Sequence, residues 1–149
     1  MPMKSYKPIN ILLIEDSLAD IRLTQEVFKE GKINNTLSIV MDGEDALVYL
    51  RKSGKFKNVQ TPDLVLLDLN IPKKDGRQVL AEIKADSTLK VIPVIILTTS
   101  AAEQDILNTY AHHANCYIMK PVNLEQFIKV IRSIEEFWLT IVKLPQKEE

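Results

Sequence analysis

Apolar residues gather along this chain into short uninterrupted runs, separated by longer segments in which they recur every three or four positions. Leu64-Val65-Leu66-Leu67, entered from Pro62-Asp63 and left at Asp68, contains no polar residue, which is how a parallel strand covered on both faces reads. Ile11-Leu12-Leu13-Ile14, within Ile9 to Ile14, and Ile92-Pro93-Val94-Ile95-Ile96-Leu97 have the same character. Thr36 to Met41 and Cys116-Tyr117-Ile118-Met119 are more mixed and also predict strands.

The intervening segments carry helix signals. Leu18 to Glu30 lacks Pro and Gly, follows Ser17 as an N-cap and stops at Gly31. Its apolar residues Ile21, Leu23, Val27 and Phe28 spread wider than one stripe, so part of this helix is expected to face something other than its own sheet. Asp42-Gly43 predicts a turn, Glu44 to Lys52 a helix and Ser53 to Thr61 a loop. Pro72 to Gly76 reads as a loop and turn, after which Val79, Leu80 and Ile83 mark an amphipathic helix. Another helix is expected from about Ala101 to His112, and a last one opens near Asn123, with Glu125 and Gln126 in its first turn. Strand and helix thus alternate five times, which predicts an α/β fold: a doubly wound, five-stranded parallel sheet flanked by five helices.

Composition narrows the function classes. A chain of 149 residues, 46% hydrophobic and 26% charged, fits one globular domain. Lys and Arg number 19 against 20 Asp and Glu, so no basic excess points to nucleic acid. The single cysteine, Cys116, cannot form an internal disulfide and suits a reducing compartment. The N-terminus has no apolar core of a signal peptide and the apolar runs are only strand length, so a soluble, cytoplasmic protein with no membrane partner is expected.

Four of the five strands end in polar functional groups: Glu15 and Asp16 after the first, Asp68 after the third, Thr98 and Thr99 after the fourth, Lys120 after the fifth. In open α/β sheets the carboxyl ends of the strands border the crevice where ligands sit. Three carboxylates brought together there repel one another, and so either hold protons or bind a cation. All-oxygen ligands suit Mg2+. A carboxylate beside Mg2+ can attack phosphorus while Lys120 and a threonine hydroxyl hold the phosphoryl oxygens, and Asp68 would become an acyl phosphate.

Glu15-Asp16, Asp68, Thr98, Tyr117, Lys120-Pro121 and the Pro72 to Gly76 turn together resemble the receiver domains of two-component response regulators, across nearly the whole chain. Over its full length, and most at Asp68 to Gly76, His113 to Tyr117 and Glu135 to Leu139, the chain is similar to the stand-alone regulators that serve cyanobacterial phytochromes. The resemblance implies a strand order of 2-1-3-4-5 in a flavodoxin-like receiver fold, with residues 1–7 a tail, 8–135 the receiver and 136–149 a C-terminal extension. It implies that Asp68 takes phosphate from a sensor histidine kinase, the donor here being a phytochrome. Asp16, Asp68 and the backbone carbonyl of Asn70 would ligate Mg2+, with Glu15 acting through a water. Lys120 would contact the phosphoryl group, and the Lys120-Pro121 bond would be cis. Thr98 and Tyr117 would form the switch that reports phosphorylation, and signals would leave through protein contacts, with no enzyme activity beyond the protein's own phosphorylation and dephosphorylation.

Competing readings are weaker on the residues. A phosphatase with an Asp nucleophile wants Asp-x-Asp-x-Thr, and Asp68-Leu69-Asn70-Ile71 lacks the second acid and the threonine. The turn after the first strand has no Gly-x-Gly-x-x-Gly for a dinucleotide. His112, His113 and Cys116 are too few and misplaced for zinc. A phosphate-independent docking module would not need every active-site position intact. Two surfaces are expected to bind protein: the first helix near Leu18 and Ile21, for the kinase, and the last helix with the extension, where Phe127, Ile131, Ile134, Trp138 and Ile141 form a seam suited to a homodimer that also uses the fifth strand.

Overall fold

The computed structural model describes residues 8–31, 34–99 and 116–130. Five strands, β1 (Ile9–Ile14), β2 (Asn35–Val40), β3 (Leu64–Asp68), β4 (Val94–Thr98) and β5 (Cys116–Met119), pair in parallel in the order β2-β1-β3-β4-β5, as expected. Helices α1 (Leu18–Glu30), α2 (Gly43–Leu50) and α3 (Gly76–Ala85) connect them, and residues 124–130 are helical. The helix expected from Ala101 to His112, both histidines and the chain from 131 onward lie outside the described residues.

Strand alternation sorts the core into two layers. Ile11, Leu13, Leu64, Leu66, Ile95, Leu97 and Ile118 face α1 and the helix at 124–130, where Phe28 and Phe127 meet with ring centroids 4.7 Å apart. Leu12, Ile14, Val65, Leu67, Val94 and Ile96 face α2 and α3. The central strand β3 is therefore buried along its whole length, which is why its sequence shows no polar alternation.

Caps set the helix starts. Ser17 Oγ accepts from Asp20 N, Asp42 Oδ1 from Asp45 N and Asn123 Oδ1 from Gln126 N. Asp42-Gly43 and Asp75-Gly76, read from the sequence as turns, are N-caps followed by the first residue of a helix. Two strands are shifted from their expected limits. Pro93 has no N–H and its carbonyl accepts from Val65 N, so the β4 ladder starts at Val94 and runs on to Thr98. β2 ends at Val40, whose carbonyl takes the Glu15 N–H just as β1 turns away, leaving Met41 exposed. The loop after α2 holds a 3-10 turn at Gly54–Phe56 that packs Phe56 against Tyr49, ring centroids 5.0 Å apart and planes tilted.

Candidate functional site

Asp68 is the last residue of β3, the middle strand, so its side chain emerges at the deepest point of the carboxyl-end crevice. Its alternation parity is that of Leu64 and Leu66, toward α1; Glu15 continues Ile11 and Leu13, and Lys120 continues Ile118. Three strands thus aim a functional group at one point. A backbone bond from Lys120 N to Thr98 O, 2.7 Å, carries the β4–β5 ladder one step further and holds Lys120 in place.

The Lys120 ammonium is the hub. Its Nζ donates to Asp68 Oδ2 at 3.0 Å and to Asp20 Oδ2 at 2.8 Å. Glu15 Oε1 lies 2.8 Å from the same nitrogen, an ion pair whose angles fall outside hydrogen-bond geometry. The other Asp68 oxygen, Oδ1, accepts from Asn70 N at 3.0 Å, and Glu15 Oε2 accepts from Ser17 N at 3.2 Å. Backbone and lysine thus hold the Asp68 carboxylate by one oxygen each.

Glycine keeps the loop close to this carboxylate. A Cβ on Gly76 would stand 2.6 Å from both the Asp68 carbonyl oxygen and Leu69 Cα, far inside van der Waals contact, so only glycine lets α3 start against the backbone that carries Asp68. Gly43 plays the same part for α2, where a Cβ would collide with the Lys74 carbonyl.

The site carries more negative than positive charge: the carboxyl groups of Glu15, Asp20 and Asp68 contact one ammonium, and that of Asp16 joins the Glu15–Asp68 cluster. Burial pushes the Glu15 carboxyl up to about 7, contact with the Asp68 carboxyl adds to this, and Lys120 pulls the other way without prevailing. Burial also works against the Lys120 charge, but there the close contacts with Asp20, Glu15 and Asp68 outweigh it and hold the ammonium above its ordinary range. The opposite outcomes follow from the count of partners: one cation has several anions, and each anion has a share of one cation.

These residues fit a divalent metal. Oxygens of Glu15, Asp16 and Asp68 lie within 4.8 Å of one another, all ligand atoms are hard carboxylate oxygens, and Glu15 Oε1 is buried without a hydrogen bond. Asp16 is exposed, and so is Asn70, whose N–H is bonded to Asp68 Oδ1. No other cluster of acids, histidines or cysteines with metal-binding spacing occurs among the described residues.

Thr98 is fully buried and shares the α2/α3 side of the sheet with Tyr117, a half-buried ring that packs against that core layer. Burial raises the Tyr117 hydroxyl above its usual range. The Lys120-Pro121 bond is cis, as the sequence reading expected. Asp20 was not among the residues expected at the site. Its only sequence signal is the Ser17-Leu18-Ala19-Asp20 spacing of a capped helix start, which does not announce a contact 100 residues away.

Two expectations need correction. Ile21 is core, packed beneath α1, and the exposed apolar residues of that helix are Leu18, 70% exposed, and Leu23, 37% exposed. Phe127 is 1% exposed and packed against Phe28 in a tilted ring pair, so it belongs to the protein's own core and cannot open an intermolecular seam.

The chain matches the response regulator receiver domain model over residues 11–132. It is 50% identical to the response regulator Rcp1 of Synechocystis sp. over 145 residues, covering 97% of this chain and 99% of Rcp1. It also matches the crystal structure of the phosphorylated cyanobacterial phytochrome response regulator RcpA, at 52% identity and a TM-score of 0.73, covering 89% of this chain and 94% of RcpA. The Mn2+-bound form of Rcp1 matches at 51% identity with a TM-score of 0.73, covering 93% and 100% of the two chains. With its strand order, its strand-end acids and these matches in agreement, the chain belongs to the response regulator receiver domain family.

Proposed function

We propose that Asp68 is the phosphoacceptor of this response regulator and that Lys120, Thr98, Glu15 and Asp16 serve its phosphorylation. Receivers take phosphate on an aspartate in a metal-dependent reaction, and the observation that carries the assignment is the carboxylate of Asp68, buried at the centre of the crevice with Lys120 Nζ 3.0 Å from its Oδ2. An Asp68 oxygen attacks the phosphorus of a phosphohistidine on a sensor kinase. The O–P bond forms as the P–N bond breaks, and the electron pair leaves on the imidazole nitrogen. Lys120 would take one phosphoryl oxygen, and the Thr98 hydroxyl would take another as the switch moves with Tyr117. Glu15, Asp16, Asp68 and the Asn70 carbonyl would hold Mg2+, which supplies charge neutralisation at the phosphoryl oxygens.

The kinase we assign is a phytochrome, because Rcp1 and RcpA, the relatives named above, cover nearly all of this chain and RcpA is a phytochrome response regulator. Output passes through protein contacts, including a homodimer formed by β5, the fifth helix and residues 136–149, in the cytoplasm; among the described residues no helix is long and apolar enough to cross a membrane. Asp68→Asn tests the central assignment. The amide is nearly isosteric, so the fold should persist, and Mg2+-dependent labelling by the kinase or by acetyl phosphate should disappear. Labelling of that variant at the unsubstituted rate would remove Asp68 from the mechanism.

A further inference from the structure

Ser17-Leu18-Ala19-Asp20 has the spacing of a capping box, in which the N-cap side chain takes the N–H three residues on and the acid at that position reaches back to the N-cap N–H. Half of that exchange is made: Ser17 Oγ accepts from Asp20 N at 3.2 Å. The other half is not. The Ser17 N–H goes to Glu15 Oε2, and the Asp20 carboxylate reaches across the crevice to Lys120 Nζ, 2.8 Å away. A helix-start acid has thus been redirected from its own backbone to the lysine at the end of β5.

The redirection gives Lys120 anions on two sides. Asp68 lies inward and buried, while Asp20 lies outward with its side chain 36% exposed; the Lys120 side chain between them is only 10% exposed. We propose that Asp20 is a positioning residue that weakens the grip of Lys120 on the phosphoryl group of Asp68, and so shortens the life of the phosphorylated state. The proposal rests on the reading of Asp68 as phosphoacceptor. Phosphorylation adds negative oxygens on the inward side, and the ammonium must turn toward them to stabilise them. Asp20 opposes that in two ways: it competes for the same N–H donors, and its own charge, within one ammonium's reach of Asp68, repels the new group.

The test uses the full chain with Mg2+ and two readouts: calorimetric affinity for beryllofluoride, an unreactive phosphoryl mimic, and the decay of acetyl-phosphate-labelled protein after the donor is removed. Asp20→Asn should tighten the mimic and slow the decay, each by roughly fivefold, the upper range for one partly exposed ion pair. Asp20→Glu keeps the charge and should stay close to the unsubstituted chain. Glu26→Gln, which removes the same charge from an exposed position further along α1, should change neither readout. Unchanged values for Asp20→Asn, weaker mimic binding, or equal shifts in Asp20→Asn and Glu26→Gln would each overturn the proposal. Asp68→Asn, run beside them, keeps the two ideas apart: if it cannot be labelled while Asp20→Asn behaves as unsubstituted, only the role of Asp20 falls.

Discussion

Glu15 is held where its charge is least welcome, at the end of a buried strand and beside another carboxyl group, and this makes it the residue through which pH should act. Its folded pKa of about 7 stands above the ordinary 4.5, so the folded protein binds this proton more tightly than the unfolded chain does. The resulting stability is fully present below about 4.5 and is lost as pH rises through about 7. A shift of that size is worth at most roughly 3 kcal/mol. Denaturant unfolding without divalent cation should therefore give a lower stability at pH 8 than at pH 5, and Glu15→Gln, which has no charge to bury, should flatten the difference. A divalent cation wants the ionised carboxylate, so Mg2+ should restore stability at pH 8 and release protons near neutrality. An unchanged pH slope in Glu15→Gln would show that other groups dominate.

Helix α1 is the element that serves both core and surface. Ile21, Val27 and Phe28 seal one layer of the sheet, Asp20 reaches the site, and Leu18 stands in solvent beside the acids at 70% exposure. An exposed leucine at the mouth of a phosphoacceptor site is well placed for a protein donor to cover. Leu18→Glu should then slow phosphotransfer from the cognate kinase about tenfold or more, the loss expected when an apolar anchor is replaced by a charge in an interface. The rate with acetyl phosphate, which needs no docking surface, should hold; equal slowing with both donors would assign Leu18 to the site's own structure instead. Ile21 is a poor choice for this experiment, since a charge there would be driven into the core.

At the scale of the molecule, the core layer that faces α1 holds Phe127 at 1% exposure against Phe28, so Phe127 has no surface left to share. A seam between two copies would then use the rest of the expected stripe, Ile131, Ile134, Trp138 and Ile141, together with β5. Sedimentation of the intact chain and of a chain ending at Glu135 should give a dimer and a markedly weaker one. Monomers in both cases at high micromolar concentration would remove the dimer from the proposed function.

Local order was legible because it is written in local patterns. Unbroken apolar runs, the caps at Ser17 and Asn123, and the strand-end positions of Glu15, Asp68 and Lys120 depend on near neighbours in the chain, and parallel strands with the same parity then aim those three side chains at one point. The sequence by itself therefore determined the sheet, its buried middle strand and three members of the acid–lysine cluster, Glu15, Asp68 and Lys120. Which side of α1 meets the sheet, how Phe127 closes on Phe28, and where the Asp20 carboxylate goes were decided only by tertiary structure. Each is a choice between two locally acceptable orientations. Burial of apolar area and the pull of one lysine, brought from 100 residues away by the strand order, select between them.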